Sequence, residues 1–265
     1  MSIFKDCDIR GIFGTEFRQT DALLIGKAVG TILRGREILL CGDVRLSTES
    51  LKSALAQGLV ECGAKVIDIG IGPTPMAYFA KSKFCLNTYG LAMVTASHNP
   101  PEYNGVKLML GDMPIHPEML EEIRRIAESE RFVEGTGSLE RTNVQERYRT
   151  FLQTMGFGSH KKVVVDCGNG AESLLAPEVL RAAGYQVTEL FCEPDGRFPN
   201  RNPNPAVYSN LTDLCKQVPL CGADFGVAFD GDGDRVVFVD DQGQVVPSEK
   251  TLVLLIREIA KKRSF

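Results

Sequence analysis

Two stretches of the chain, EILLCGDVRLSTESLKSALAQGLVECGAKVIDIG (37–70) and KVVVDCGNGAESLLAPEVLRAAGYQVTEL (162–190), follow one plan. Each opens with an apolar run that ends near Cys-Gly. Each then passes through Glu-Ser-Leu into an amphipathic stretch of helix length and returns through a glycine to a second apolar run. Strands separated by helices imply βαβ crossovers and parallel pairing. A faint repeat that occurs twice points to two similar α/β units and not to a solenoid. The expected fold is therefore α/β, with two similar domains whose mixed, largely parallel sheets are covered by helices.

The 265 residues, 43% of them hydrophobic, suffice for each unit to bury its own core. Apolar runs predict strands at 37–40, 65–70, 90–96, 225–229 and 236–240. Helices are expected from a cap at Ser47 or Thr48 to about Cys62, near 76–84, over 117–130, near 209–219, and from about Ser248 to Lys262. The polar zone EGTGSLERTN (134–143) reads as the connection between units, giving domains at 1–150 and 151–255.

Charge narrows the function classes. Thirty basic and 34 acidic residues leave a formal net charge of −4, which favours neither nucleic acid nor an anionic membrane as partner. The opening MSIFKDCDIRGIFG lacks the apolar run of a secretory signal, and no stretch has the length and apolarity to span a bilayer. Eight cysteines form no CxxC pair, which argues against a zinc site and for reduced thiols in a cytoplasmic protein.

DGDGDR (230–235) directly follows the apolar run FGVAF, which sets three carboxylates at the carboxyl end of a strand, where open α/β sheets place ligands. Asp230, Asp232 and Asp234 are spaced by two, so an extended backbone would turn all three to one side. Carboxylates this close repel unless something neutralises them, and Mg²⁺ prefers such all-oxygen ligands. A solvated acidic turn is the plain alternative, but it gives no reason for the cluster to lie between two strongly apolar runs. An EF-hand fails on count: its sixth and twelfth positions would be Arg235 and Asp241 in place of Gly and Glu.

TASHNPPEYNGVK (95–107) surrounds one serine with punctuation. A serine in a polar turn ordinarily bonds nearby backbone. Beside a Mg²⁺ site, however, phosphoserine 97 would supply the phosphate oxygen that the ion still wants. The rival is a Ser-His hydrolase. Adjacency of His98 is no support for it, since catalytic bases come from elsewhere in the fold, and no G-x-S-x-G elbow is present. His116 and His160 read as surface residues. Arg10, beside a glycine turn, and Lys107, after an Asn104-Gly105 turn, read as surface charges unless a phosphoserine lies near; then they become phosphate contacts.

TASHNPPEYNGVK and FDGDGDR, in this order and separation, closely resemble the α-D-phosphohexomutase family, with DIRG (8–11), VVVDCGNGA (163–171) and FPNRNPNP (198–205) as further landmarks. The resemblance covers essentially the whole chain. It implies that Ser97 is the phosphorylated catalytic serine and also a metal ligand, and that Asp230, Asp232 and Asp234 hold one Mg²⁺. Arg10, Lys107, His98, Arg235 and Asn104 would surround the transferring phosphoryl group. The implied substrate is a hexose phosphate, isomerised through a hexose 1,6-bisphosphate by a monomer or weak homodimer. The Pro-Asn-Pro stretch leans toward the phosphomannomutase/phosphoglucomutase branch, with phosphoglucosamine mutase as alternative; a metal- and phosphate-binding module without turnover is the reading from another class. Two departures stand out. Cys7 replaces the tyrosine that many relatives carry before Asp-Ile-Arg-Gly. Family members have four domains, and neither the Gly-Glu-x-Ser-Gly-His sugar loop of the third nor the phosphate loop of the fourth is found here. The expectation is a truncated form, inactive or weakly active alone, with 256–265 ending the last helix and starting a linker.

Overall fold

The computed structural model of the chain describes residues 3–6, 8–85, 87–155 and 160–262. The first unit is built on a six-stranded sheet of β1 (Ile9–Ile12), β2 (Glu37–Gly42), β3 (Lys65–Ile71), β4 (Gly90–Val94), β5 (Tyr103–Leu110) and β6 (Ser138–Arg141), in the order β1-β5-β4-β2-β3-β6. Strands β4, β2, β3 and β6 pair in parallel, whereas β5 runs antiparallel between β4 and β1. Side chains alternate across a strand. Ile38 and Leu40 of β2 accordingly join one core cluster with residues of α1 (Gln19–Leu33), α2 (Thr48–Glu61) and α4 (Pro117–Ser129). Leu39 and Cys41 join the opposite cluster, with Met76 and Ala77 of α3 (Thr74–Phe79) and Tyr148 of α5 (Gln145–Thr154). Both faces are thus buried, which is why β2 reads as a continuous apolar run.

The second unit carries a five-stranded sheet of β7 (Lys162–Asp166), β8 (Gln186–Leu190), β9 (Phe225–Phe229), β10 (Val236–Asp240) and β11 (Val245–Val246), in the order β11-β10-β9-β7-β8. Strands β9, β7 and β8 are parallel, and β10 and β11 add antiparallel on one edge. Helices α6 (Ala176–Ala182) and α7 (Thr212–Leu220) follow β7 and β8, and α8 (Ser248–Lys262) closes the described chain. The two mixed sheets with their helices match the α/β architecture expected from the repeat.

Several local expectations give way to tertiary packing. Asn104 and Gly105 form no turn: both lie within β5, opposite Gly11 and Arg10 of β1. Glycine is required there because a Cβ at 105 would fall 2.2 Å from the Ile9 carbonyl oxygen. Arg10 likewise sits in a strand, not beside a turn. The polar zone 134–143 contains β6, which pairs with β3 although its side chains are exposed. Ser47 occupies the start of α2, but its hydroxyl makes no capping bond; it accepts from the Asn104 amide at 2.8 Å.

Candidate active site

Ser97 lies three residues beyond the end of β4, and Asp230 directly follows β9, so both loops leave the carboxyl ends of their strands. The loops meet across the boundary between the sheets. Ser97 Oγ donates to Asp230 Oδ2 at 2.8 Å. The approach continues along the backbone, because a Cβ at Gly231 would stand 2.5 Å from the Ser97 carbonyl oxygen. A larger residue at 231 would therefore push the serine loop off the aspartate loop.

Asp230, Asp232 and Asp234 converge with carboxylate oxygens within 4.8 Å of one another. They do so by turning rather than by extension: Gly233 has φ +75°. Asp230 and Asp232 are buried. Burial, and then the charges of Asp232 and Asp234, push Asp230 up to about 7. Burial would raise Asp232 as well, but the neighbouring Lys107 charge, with hydrogen bonds from Lys107 and Thr74, outweighs it and holds the carboxyl below its ordinary value. Lys107 Nζ reaches both Asp232 Oδ2 and Asp234 Oδ2 at 2.7 Å. Burial opposes its charge, yet the two carboxylates prevail and its pKa rises. Asp232 Oδ1 has no hydrogen-bond partner although it is buried. A buried carboxylate oxygen without a donor, in a cluster of three oxygen-bearing groups, suits a hard divalent cation.

His98 Nδ1 stands 3.4 Å from Ser97 Oγ, whose proton is directed at Asp230. Burial, then the charges of Arg235 and Arg10, lower the His98 pKa, so the structure gathers these three groups near the serine. Arg10 and Arg235 are held loosely, by ion pairs of 3.8 Å to Asp8 and 3.9 Å to Asp234, which leaves their guanidinium groups able to meet an anion. Asn104 is not brought to the cluster. It is fully buried, its amide donates to Ser47 and Thr48, and its carbonyl oxygen accepts from Gly105 N–H. His116 caps α4 and His160 is exposed, both away from the serine loop. Cys7 lies outside the described residues.

Two residues of the site escaped sequence reasoning. Thr74, at the start of α3, donates its hydroxyl to Asp232 Oδ2 at 2.6 Å and its N–H to the Asp232 carbonyl at 2.8 Å. Glu172 is buried beneath the aspartate loop, pushed up to about 8 by burial and then by Asp230 and Asp232. Its side chain fills the space a Cβ at Gly233 would need. Threonine before a proline at a helix start was the only signal for Thr74; Glu172 had none.

Fold and site together define a protein of two consecutive α/β units whose facing loops set a serine hydroxyl against a carboxylate cluster. The chain belongs to the phosphoglucomutase/phosphomannomutase family: the model of its alpha/beta/alpha domain I matches residues 1–134, and that of domain II matches residues 147–243. A phosphomannomutase/phosphoglucomutase of Pseudomonas aeruginosa is 38% identical over 98% of this chain and 57% of its own length. A Methanothermobacter thermautotrophicus protein named "Probable phosphoglucosamine mutase" is 40% identical over 98% of this chain and 59% of its own. A crystal structure of a phosphoglucomutase/phosphomannomutase family protein from Burkholderia thailandensis superposes with a TM-score of 0.94 at 36% identity, covering 98% of this chain and 59% of that one. The chain thus spans somewhat over half the length of the relatives it matches. No helix among the described residues is long and apolar enough to cross a membrane.

Proposed function

We propose that the chain carries the phosphoserine and metal loops of a phosphohexomutase, which interconverts hexose 1- and 6-phosphates through a hexose 1,6-bisphosphate. The observation that supports this most is the 2.8 Å hydrogen bond from Ser97 Oγ to Asp230, at the edge of a buried carboxylate cluster with an unpartnered oxygen. Asp230, Asp232, Asp234 and Ser97 would hold Mg²⁺, which when bound neutralises charge on the transferring phosphoryl group. Phosphoserine 97 gives its phosphoryl to the free sugar hydroxyl: the Ser97 Oγ–P bond breaks, a sugar O–P bond forms, and Ser97 regains its hydroxyl. The bisphosphate then reverses in the cleft and returns its other phosphoryl to Ser97. Such transfers depend on positioning and charge more than on covalent assistance. Lys107, Arg10 and Arg235 supply positive charge around the equatorial oxygens, and His98, its pKa lowered, lies beside the serine without adding a carboxylate-like repulsion.

In this reading residues 1–150 form the serine domain and 151–255 the metal domain, and 256–262 end α8. The substrate is a hexose phosphate, and the branch is phosphomannomutase/phosphoglucomutase. The 40% identity to the Methanothermobacter protein keeps phosphoglucosamine mutase as the second reading. Free cysteines at Cys41, Cys62, Cys85, Cys167, Cys192, Cys215 and Cys221 accord with a reducing, cytoplasmic setting, and a monomer or weak homodimer belongs to the same reading. The test is incubation with phosphorus-labelled glucose 1,6-bisphosphate and Mg²⁺, then peptide mapping. Label is expected on the peptide that contains Ser97; label elsewhere, or none, rejects the assignment.

A further inference from the structure

Ser97 holds φ at +52°, a left-handed conformation that a residue with a side chain keeps only where its surroundings over-determine it. Both of its peptide groups are tied to one buried network. Its N–H donates to Thr95 Oγ1 at 2.8 Å, and that hydroxyl donates to Asp43 Oδ2 at 2.7 Å. Its carbonyl accepts from Arg45 Nη2 at 2.9 Å. The same guanidinium donates to the Asn99 carbonyl at 2.6 Å and, through Nη1, to those of Pro100 and Tyr103 at 2.7 and 2.9 Å. Its Nε meets Asp43 Oδ2 at 3.1 Å, and both side chains are wholly buried.

Four carbonyls of the stretch 97–103 therefore hang on one side chain that touches no solvent. A guanidinium presents five N–H donors in a rigid plane, whereas an ammonium presents three from a single point. Charge alone does not explain an arginine here, since Asp43 could be neutralised by a lysine. The planar fork explains it, because the donors must diverge to carbonyls along a folded loop. We propose that Arg45 is the positioning residue of the serine loop: it fixes loop 97–103 in the one backbone arrangement that aims Ser97 Oγ at the metal cluster. This rests on Ser97 as the phosphoryl carrier.

The test uses the 265-residue chain with Arg45→Lys, which keeps the charge but not the fork, and Thr95→Val, which frees the Ser97 N–H. Three quantities are read: the rate of label transfer from saturating glucose 1,6-bisphosphate, the half-saturating donor concentration, and amide exchange in the peptide over 95–104. Both variants are expected to lose about tenfold to a hundredfold in transfer rate with an unchanged half-saturating concentration, as for a misaimed reacting group. Exchange in the peptide should quicken by a similar factor. Folded variants that transfer at the wild-type rate overturn the proposal, even if exchange quickens, because Arg45 would then be structural only. Should Arg45→Lys fail to fold, Thr95→Val decides by the same readings. A wild type that takes no label overturns the phosphoserine reading instead, and exchange then shows separately whether the loop is held by this network.

Discussion

At the residue scale the decisive quantity is the proton on Asp230. Burial and two neighbouring carboxylates push its pKa up to about 7, while an unfolded chain releases that proton near 4. Between about pH 4 and 7 Asp230 therefore keeps in the metal-free fold a proton that the unfolded chain has released, so this group makes stability fall as pH rises through that window. A divalent cation needs the ionised carboxylate and must expel the proton. Mg²⁺ affinity is accordingly expected to rise about tenfold per pH unit from about pH 5 to 7, then to level. Calorimetric titration of wild type at pH 5.5 and 7.5, beside Asp230→Asn, checks this; equal wild-type affinities at the two pH values reject it. The carboxylate triad was legible in the sequence because like charges crowded into six residues demand a partner. Thr74 was not legible, since it meets Asp232 across 158 residues of chain and only the docking of the two units brings them together.

At the element scale, crossings of backbone decide what residue types can reveal. Helices α1 and α2 pack so closely that a Cβ at Gly58 would lie 2.2 Å from the Leu23 carbonyl oxygen and one at Gly26 would lie 2.3 Å from that of Leu55. Replacing glycine with alanine inside a helix gains up to about 1 kcal/mol of propensity. Here the obstacle is backbone, which cannot swing aside, so the helices must part. Overpacking of this kind costs about 1–3 kcal/mol. Gly58→Ala should lower the urea unfolding midpoint; a raised or unchanged midpoint would mean the helices separate at no cost. The strands β2, β3, β7 and β9 were legible because burial on both faces leaves apolar runs. Strand β5 was not, because Asn104 and Gly105 carry turn chemistry but serve packing: the glycine admits Ile9, and the asparagine ties β5 to the start of α2. Strand β6 hides for the opposite reason, having exposed side chains and only its backbone pairing to show.

At the scale of the whole molecule, the site is also the joint. Ser97 and Lys107 come from the first sheet unit, as does Thr74, and all three bond to aspartates of the second. The repeat made two units legible, but nothing in either unit alone announces that their loops interlock, because the bonds form between residues far apart in sequence. A cation held by Asp230, Asp232, Asp234 and Ser97 would draw ligands from both units, so its binding energy would stabilise both at once. At a Mg²⁺ concentration of about 100 Kd the linkage is about 2.7 kcal/mol. Amide exchange in peptides of β2 and of β7 is expected to slow together on adding Mg²⁺. Asp232→Asn should abolish the effect in both sheets. Thr74→Val keeps every carboxylate but removes a hydroxyl bond across the joint, so it should weaken the response in β2 more than in β7. If Mg²⁺ slowed exchange in β7 alone, the ion would belong to the second unit by itself, and the serine hydroxyl would have no place among its ligands.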